Sequence, residues 1–525
     1  MVTSRLCILI MASSYNDITK NNIQPLKLAI NHILSRASFI SLDTEFTGLG
    51  GKDTRAPNME DRYKNLCKLV KSHALVAFGL TAFERISDSS VPEVQEQWKT
   101  RYAAHNFSFL LSCQMEYTVS PSSLHFLVES GFDFNRQIKF GIPYYCGSAP
   151  LPPPAMQGTD IQQRALMTSM RNLFSHLLYV SRTRCVPIVI HNGLLDLMFL
   201  YHAFHADLPL ELPAFTADLS EMFPGGIYDT KYVADYVTRE HSSFLAYLFR
   251  KYEREQARRN HDAISYKDID EHKDAGKEVY AGDILDKEKV NRRRCFVIDI
   301  KDRIPTPAVR TQLEELASDD VTTNATNNKT EDSSTNNDLS AAGRKHKRKG
   351  NDNKLYCEQY ALHGFCRKNK MCGKSHDLDL ILDIEEAAHH GKKRQRFDDR
   401  QIRDKDAYIT TARDIEDRSA GNTQDIVMSS TKVVKDLQEQ FSPSATVEIA
   451  MAWPSSSSYH SAHYDSYMTG YIFAHQLAEY GEVTMRDNHR NRLYLIAKDV
   501  PLRVERSQFA KTSKGHDEVK SKWVQ

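Results

Sequence analysis

The 525-residue chain carries 69 Lys and Arg against 68 Asp and Glu, which gives a net charge of +1 at pH 7. At roughly 150 residues per domain this length excludes one small domain, and the charge balance excludes a uniformly basic nucleic-acid carrier. A hydrophobic fraction of 41% is enough to build a sizeable core, so a chain that is disordered throughout is also excluded.

The apolar runs of the sequence are short. None approaches the about 20 residues that cross a bilayer, and Leu6 to Ala12, the longest near the start, lacks the cleavage site of a signal peptide. The nine cysteines are dilute over the first 300 residues and clustered afterwards, which is not typical of a disulfide framework. We therefore expect no membrane association and a reducing compartment.

Residues 38–249 alternate between apolar β-type runs and helical stretches, which predicts an α/β domain. In chain order the predicted elements are helix 20–35, strands 38–43, 73–83 and 107–113, helices 122–130 and 160–181, strand 186–191, and helices 194–205 and 230–258. Gly131 and the Pro224-Gly225-Gly226 run are among the breaks between them.

The composition changes after about Pro305. Residues 318–340 contain only three apolar side chains, too few to fold, and globular character returns at Val447. A predicted helix at 464–480 and a β-type run at 492–497 are too small for an independent core, so they should complete the first domain. The predicted divisions are an N-terminal extension 1–36, a discontinuous domain 37–304 and 441–510, linkers 305–350 and 381–440, a Cys/His segment 351–380 and a tail 511–525.

Acidic residues occur where three predicted elements begin or end. Asp43 and Glu45 are two residues apart at the end of a strand, so they share a face and two like charges there call for a cation. Asp196 lies in the first turn of an apolar helix, where the helix N-terminus favours it, but burial of an unpaired carboxylate costs on the order of several kcal/mol. Asp465 opens a later helix, just after His460.

Each of these acids also has an ordinary explanation when taken alone. The pair Asp43 and Glu45 could be a solvated strand end, Asp196 could help to cap its helix, and His460 could be a loop histidine beside an N-terminal Asp465. Their order along the chain is what indicates one site.

The motifs D-T-E-F-T-G at 43–48, H-N-G-L-L-D at 191–196 and H-x4-D at 460–465 together resemble the DEDD exonuclease superfamily, in its poly(A)-specific ribonuclease and deadenylase branch. The segment F-P-G-G-I-Y-D-T-K-Y at 223–232 is similar to another motif of that branch. The resemblance covers about 35–250 and 345–510, and it implies an α/β, ribonuclease H-like fold that is discontinuous in sequence.

The resemblance also implies roles for the acids. Asp43, Glu45, Asp196 and Asp465 would be the ligands of two Mg²⁺ or Mn²⁺ ions, since hard cations take oxygen ligands. Two such cations, about 4 Å apart, can bridge a scissile phosphate.

By the same resemblance His460 would be the general base, because a histidine five residues before the last aspartate defines one subtype, and an unperturbed pKa near 6.5 suits that work. His463 is a weaker competitor for this role, because only His460 has the family spacing. We expect His191 to be structural, and Asp229 and Lys231 either to support the substrate path or to form ordinary ion pairs.

A second cluster of ligand-type residues follows the polar segment. Cys357-x8-Cys366-x5-Cys372-x3-His376 supplies three thiolates and an imidazole, a complete tetrahedral set for structural zinc in a CCCH finger. Nearby aromatic residues, Tyr356, Tyr360 and Phe365, could stack on RNA bases, with protein docking as the alternative.

Two basic runs, 344–349 and 392–396, flank this finger. They are candidates for nuclear localisation through an import receptor, and electrostatic attraction to an RNA backbone is the alternative.

The resemblance therefore predicts a 3′-to-5′ exoribonuclease or deadenylase that acts in the nucleus on RNA with a 3′ oligo(A) or poly(A) tail. Two alternatives remain at this point, a non-catalytic RNA-binding adaptor and a DEDD exonuclease that acts on DNA. We further expect the exonuclease domain to close around residues 306–440, so that a short linker could replace them.

Overall fold

The computed structural model describes residues 14–86, 99–147, 149, 160–271, 294–305, 355–368, 371–388 and 461–521. The two predicted basic runs, His460 and most of the predicted linkers lie outside the described residues. Within the described ranges, no helix combines the length and apolar character needed to cross a membrane.

The described strands form one mixed sheet in the order β1-β4-β3-β2-β6-β7-β9-β10, and β5 and β8 also pair with β4. The strands are β1 Asn16–Ile18, β2 Phe39–Phe46, β3 Leu75–Ile86, β4 Lys99–Cys113, β5 Ile142–Tyr144, β6 Ile188–Ile190, β7 Ile227–Asp229, β8 Cys295–Ile300, β9 Arg492–Leu493 and β10 Leu502–Arg503. Strands β2, β3 and β4 are antiparallel neighbours, whereas β2, β6 and β7 run parallel.

Helices pack on both faces of this sheet. They are α1 Ile23–Arg36, α2 Met59–Ser72, α3 Pro121–Glu129, α4 Phe134–Phe140, α5 Asp160–Met167, α6 Ser169–Arg184, α7 Leu194–Phe204, α8 Leu212–Met222, α9 Leu245–Glu271, α10 Glu358–His363, α11 378–388, α12 Ala462–Tyr480 and α13 Lys514–Ser521. The expectation of a mixed α/β fold is confirmed.

The side chains of β2 show how the two faces are divided. Phe39 belongs to a hydrophobic cluster shared with α9 and α12, while Ile40 and Leu42 belong to one shared with α1, α6 and α7. Both faces of β2 are therefore covered, as expected for a central strand of a sheet that has helices on both faces.

Both predicted domain ends differ from the structure. Residues 16–36 are not an extension, because β1 pairs with β4 and the buried side chains of α1, including Ile30, enter the core. The predicted tail from 511 is also docked in part. His516 of α13 is fully buried, and the Ser513 amide donates to Asp218 Oδ1 at 2.8 Å.

The predicted single helix 230–258 is wrong in its first half. Short helical turns at 230–238 end at Arg239, which has a left-handed φ of 52°. A new helix, α9, begins at Leu245 and runs to Glu271. Apolar spacing carries through this break, so periodicity alone could not show it.

Candidate active site and Cys3His cluster

Strand β2 presents its acids toward α12. Ser41 lies on the same face as Asp43 and Glu45, and its hydroxyl donates to the Ser466 carbonyl oxygen of α12 at 2.6 Å. Side chains two residues apart in a strand share a face, so the half-buried Asp43 and Glu45 point toward the first turn of α12, where Asp465 lies.

The first turn of α12 rests directly on β3. Gly79 is the register partner of Asp43, and a Cβ atom built on Gly79 would lie 1.8 Å from the Ala462 carbonyl oxygen. Thr81 adds a hydroxyl contact of 2.9 Å to the Ser466 hydroxyl. A strand glycine permits this close backbone approach, and the approach brings Asp465 beside β2.

Asp196 reaches β2 from the opposite side. It lies in the first turn of α7, which follows β6 through a turn in which Asn192 has a φ of 58°. Its Oδ1 accepts hydrogen bonds from the Thr44 amide at 3.1 Å and from the Thr44 hydroxyl at 2.6 Å. Thr44, between the two strand acids, therefore fixes the fourth acid next to them.

Three of the four predicted acids form one cluster in the structure, and Asp196 lies beside it through its hydrogen bonds to Thr44. Carboxylate oxygens of Asp43, Glu45 and Asp465 lie within 4.8 Å of one another. Burial raises the pKa of Asp43 and of Glu45 well above the usual value, and the charges of Asp465 and Asp196 raise both further. Burial also raises the pKa of Asp196 to about 6, against the opposing effect of the hydrogen bonds from Thr44.

This donor set fits divalent cations. Buried like charges at this spacing require protons or cations for compensation, and an all-carboxylate set is what Mg²⁺ and Mn²⁺ prefer.

The histidines near the site have distinct surroundings. His460 lies outside the described residues. The His463 ring is stacked on Tyr15, with ring centroids 3.8 Å apart, and burial lowers its pKa to about 4. His191 is held through both ring nitrogens, at 2.9 Å from the Thr230 hydroxyl and 3.0 Å from the Ser243 carbonyl oxygen, which fits the expected structural role.

Asp229 and Lys231 connect elements around the site. Asp229 is fully buried, and it accepts hydrogen bonds from the amides of Asn192, Lys231 and Tyr494 at 2.9 to 3.0 Å. It thereby ties β7 to the turn before α7 and to β9. The Lys231 ammonium donates to the Ser243 hydroxyl at 2.6 Å. These contacts are hydrogen bonds to neutral groups rather than the expected ion pairs, although the Lys231 ammonium also lies 3.9 Å from Asp235 Oδ2.

Comparison with known proteins identifies the family of this chain. A family model described as CAF1 family ribonuclease matches residues 18–164 and 153–473. The chain belongs to the CAF1 ribonuclease family. Its acid cluster lies within the matched residues, at the junction of β2, α7 and α12.

Relatives of this CAF1-family chain include two poly(A)-specific ribonucleases. PARN of Danio rerio is 28% identical over 146 residues, which cover 24% of this chain and 20% of that protein. PNLDC1 of Mus musculus is 28% identical over 127 residues, or 22% of each chain. The pre-piRNA 3′-exonuclease trimmer of Bombyx mori is 34% identical over 67 residues, 13% of this chain and 12% of that protein. The first two alignments span about a fifth of the relatives' length.

Solved structures of the family are also similar in part. The Mg²⁺- and Mn²⁺-bound form of S. pombe Pop2p is 21% identical, with a TM-score of 0.31 over 43% of this chain and 77% of that one. The ribonuclease domain of yeast Pop2 is 17% identical, with a TM-score of 0.32 over 46% of this chain and 76% of that one.

The Cys3His cluster of this CAF1-family chain is assembled in the structure. Ligand atoms of Cys357, Cys366, Cys372 and His376 lie within 4.8 Å of one another. Tyr360 stacks on the His376 ring with centroids 4.6 Å apart. Three thiolates and an imidazole at this spacing fit a tetrahedral zinc ion.

The aromatic residues of the finger differ in accessibility. Tyr356 is buried in the hydrophobic cluster that contains α9 and α12. Tyr360 packs between His376 and Phe244, whose ring centroid is 6.0 Å away. Phe365 is 57% exposed. Stacking on RNA bases, expected from the sequence for all three, fits Phe365 alone.

The Cys3His segment is docked on the main domain. Helix α11 follows this segment, and its buried residues Leu378, Ile381 and Leu382 join the α9 and α12 cluster. The predicted boundary at 380, where a charged linker was expected to begin, therefore falls inside a packed helix.

Ion pairs line the same contact. Arg250 of α9 reaches both oxygens of Asp379, at 2.7 and 3.1 Å, and Arg258 reaches both oxygens of Glu386 at 3.0 Å. Arg254 lies between them and contacts Asp379 and Asp383. Two-pronged contacts between a guanidinium and a carboxylate fix the orientation of α11 on α9 and also stabilise the contact.

Several residues that shape the site were not found from the sequence. Thr44, Gly79 and Ser466 act through contacts between elements that are far apart in the chain. The one available signal was Gly79, because an isolated glycine in an apolar strand marks a close backbone approach.

Proposed function

We propose that this CAF1-family chain is a metal-dependent 3′-to-5′ exoribonuclease that removes mononucleotides from RNA 3′ ends and favours oligo(A) or poly(A). One observation carries the proposal. Oxygens of Asp43, Glu45 and Asp465 lie within 4.8 Å of one another, and Asp196 is held beside them by Thr44. The names of the poly(A)-specific relatives support the choice of substrate.

In the proposed mechanism the four acids would hold two Mg²⁺ or Mn²⁺ ions, which would supply Lewis-acid stabilisation of the charge on the scissile phosphate. The burial of the acids strengthens every electrostatic interaction in the site, since the local dielectric is low. Thr44 fixes the Asp196 carboxylate, and Gly79 and Ser41 fix the helix that carries Asp465. His460, five residues before Asp465, takes the proton of the attacking water.

Finer features of the proposal rest on the resemblance. The strand order β4-β3-β2-β6-β7, with β3 antiparallel to both neighbours, supports a ribonuclease H-like fold. The finger inside the nuclease and the flanking basic runs are similar to the nuclear deadenylase called target of early growth response protein. We therefore propose entry into the nucleus through an import receptor, and a role in RNA 3′-end processing there.

The finger is proposed to bind zinc and to contact RNA on its outer face. Phe365, Arg367 and Lys368 are exposed there, and an aromatic ring with nearby cations suits unpaired bases and phosphates.

The test of this function is shortening of a 5′-labelled oligo(A) RNA by the full-length protein. We expect a ladder of products that lose one nucleotide at a time, release of 5′-AMP, dependence on Mg²⁺ or Mn²⁺, and no activity for Asp43→Asn. Binding of the RNA without shortening would instead support the adaptor alternative. Faster shortening of the matched oligo(dA) would support a nuclease that acts on DNA.

A further inference from the structure

A long insertion separates β8 from α12. The N-terminal segment contacts the chain just before this insertion and just after it. Tyr15 stacks on His463 of α12, with ring centroids 3.8 Å apart and planes 18° apart, and the guanidinium of Arg303 lies 5.5 Å from the Tyr15 ring centroid. The next residue, Asn16, accepts a hydrogen bond from the Ile304 amide at 2.7 Å. Residues 303–304 precede the insertion and residue 463 follows it.

Asn16 is itself anchored on the sheet. It is the register partner of Phe107 in β4, and its side-chain amide donates to the Asn106 carbonyl oxygen at 3.1 Å. Tyr15 directly precedes this anchored strand. Its ring therefore has a defined position against α12.

The contact lies at a sensitive point of the proposed active site. His463 is in the first turn of α12, two residues before Asp465 and three after His460. Gly79 and Ser41 hold this turn through its backbone, whereas Tyr15 holds it through a side chain. More than 70 residues of sequence separate the end of α11 at 388 from the start of α12 at 462. A connection of this length fixes the position of its returning end only weakly, so contacts at that end must do so.

We propose that Tyr15 is a positioning residue for the nuclease site, which acts through the His463 ring to fix the first turn of α12. This inference rests on the proposed function. It assigns His463 a packing role, in which the aromatic ring matters and the imidazole nitrogens do not. A displacement of about 1 Å at a reacting centre lowers a rate on the order of 10²-fold, so a modest shift of Asp465 and His460 would be measurable.

The test compares ring removal with ring retention at both positions of the stack. Tyr15→Ala and His463→Ala should each lower kcat for oligo(A) on the order of 10- to 100-fold, with KM changed by less than about threefold. Tyr15→Phe and His463→Phe retain an aromatic pair and should keep kcat near the wild-type value. The double alanine variant should be no slower than the slower single variant, because the two changes remove the same contact.

The controls keep this inference separate from the proposed function. Arg303→Ala removes the exposed neighbour of the same ring and should leave kcat unchanged. Wild-type protein without activity would overturn the proposed function. Active wild-type protein with an unchanged kcat in Tyr15→Ala would overturn the positioning role, as would an inactive His463→Phe, which would show that the imidazole itself is required. Melting temperatures confirm that each variant is folded.

Discussion

The central residues of the candidate site are destabilising in the metal-free protein. Asp43 and Glu45 lie half-buried beside two further acids, and the pKa of each is raised because the ionised form is disfavoured there. A shift of one pKa unit corresponds to about 1.4 kcal/mol between the two protonation states. The fold thus maintains a strained cluster of charges, which is typical of a functional site rather than of a structural ion-pair network.

We expect Glu45→Gln to separate function from stability. The change keeps the side-chain shape and removes one negative charge, so the melting temperature in EDTA should rise above that of the wild type. Nucleotide release should fall on the order of 10³-fold, because several kcal/mol of transition-state stabilisation depend on bound cations. Thermal melts with EDTA and with Mg²⁺, together with the oligo(A) assay, measure both effects.

The matched control is Glu505→Gln, whose side chain is 63% exposed and which should change neither the melting temperature nor the rate. A Glu45→Gln variant that melts below the wild type in EDTA would contradict charge repulsion among the clustered acids. A variant with normal activity would contradict the role of Glu45 as a metal ligand.

At the scale of elements, the site depends on how closely α12 can approach β3. Gly79 is the point of approach, since a Cβ there would lie 1.8 Å from a backbone oxygen of α12. No flexible side chain is available at this contact to move aside. The helix or the strand must shift instead, and Asp465 moves with the helix.

We therefore expect Gly79→Ala to lower both activity and stability. Overpacking of this kind costs about 1–3 kcal/mol, and displacement of Asp465 should lower the oligo(A) rate on the order of 10²-fold. Gly51→Ala is the matched control, because a Cβ at Gly51 would meet nothing within 4 Å. Equal rates for the two alanine variants would show that the approach of α12 is not needed for catalysis.

The sequence predicted the acids of this site more fully than the contacts that arrange them. Asp43 and Glu45 could be placed on one face because strand alternation is a local rule. The bond from Ser41 to Ser466 spans 425 residues of sequence, and no local pattern signals it. The sequence does not reveal the break near Arg239 for a related reason. The apolar spacing continues across the break, whereas the backbone of Arg239 adopts the left-handed conformation.

At the scale of the whole molecule, the sequence indicated a finger carried on linkers, whereas the structure shows a Cys3His segment that packs against the core. Its fit to zinc could be predicted from ligand spacing alone. Its docking could not, because the apolar residues of α11 alternate with acids that read as a charged linker. Those acids, Asp379, Asp383 and Glu386, meet the arginines of α9.

Replacement of residues 306–440 by a short linker should therefore destabilise the main domain, contrary to the expectation from the sequence. Loss of the buried side chains Leu378, Ile381 and Leu382 removes about 1.5–3 kcal/mol each, which is comparable to the whole stability of about 5–15 kcal/mol of a typical domain. The melting temperature should fall on the order of 10 °C. Replacement of 306–350 alone should leave it unchanged.

Removal of the zinc ion that we propose for the Cys3His cluster tests the same contact without changing the chain. His376 is one of the Cys3His ligands. Its ring stacks on Tyr360, and Tyr360 packs on Phe244 of the main domain. A zinc-selective chelator should therefore lower the melting temperature of the wild type in one cooperative transition, and it should have no effect on the variant that lacks 306–440. Two separate transitions in the wild type, with that of the main domain unmoved by chelation, would show that the Cys3His segment folds on its own and that its contact with α9 adds nothing to the stability of the main domain.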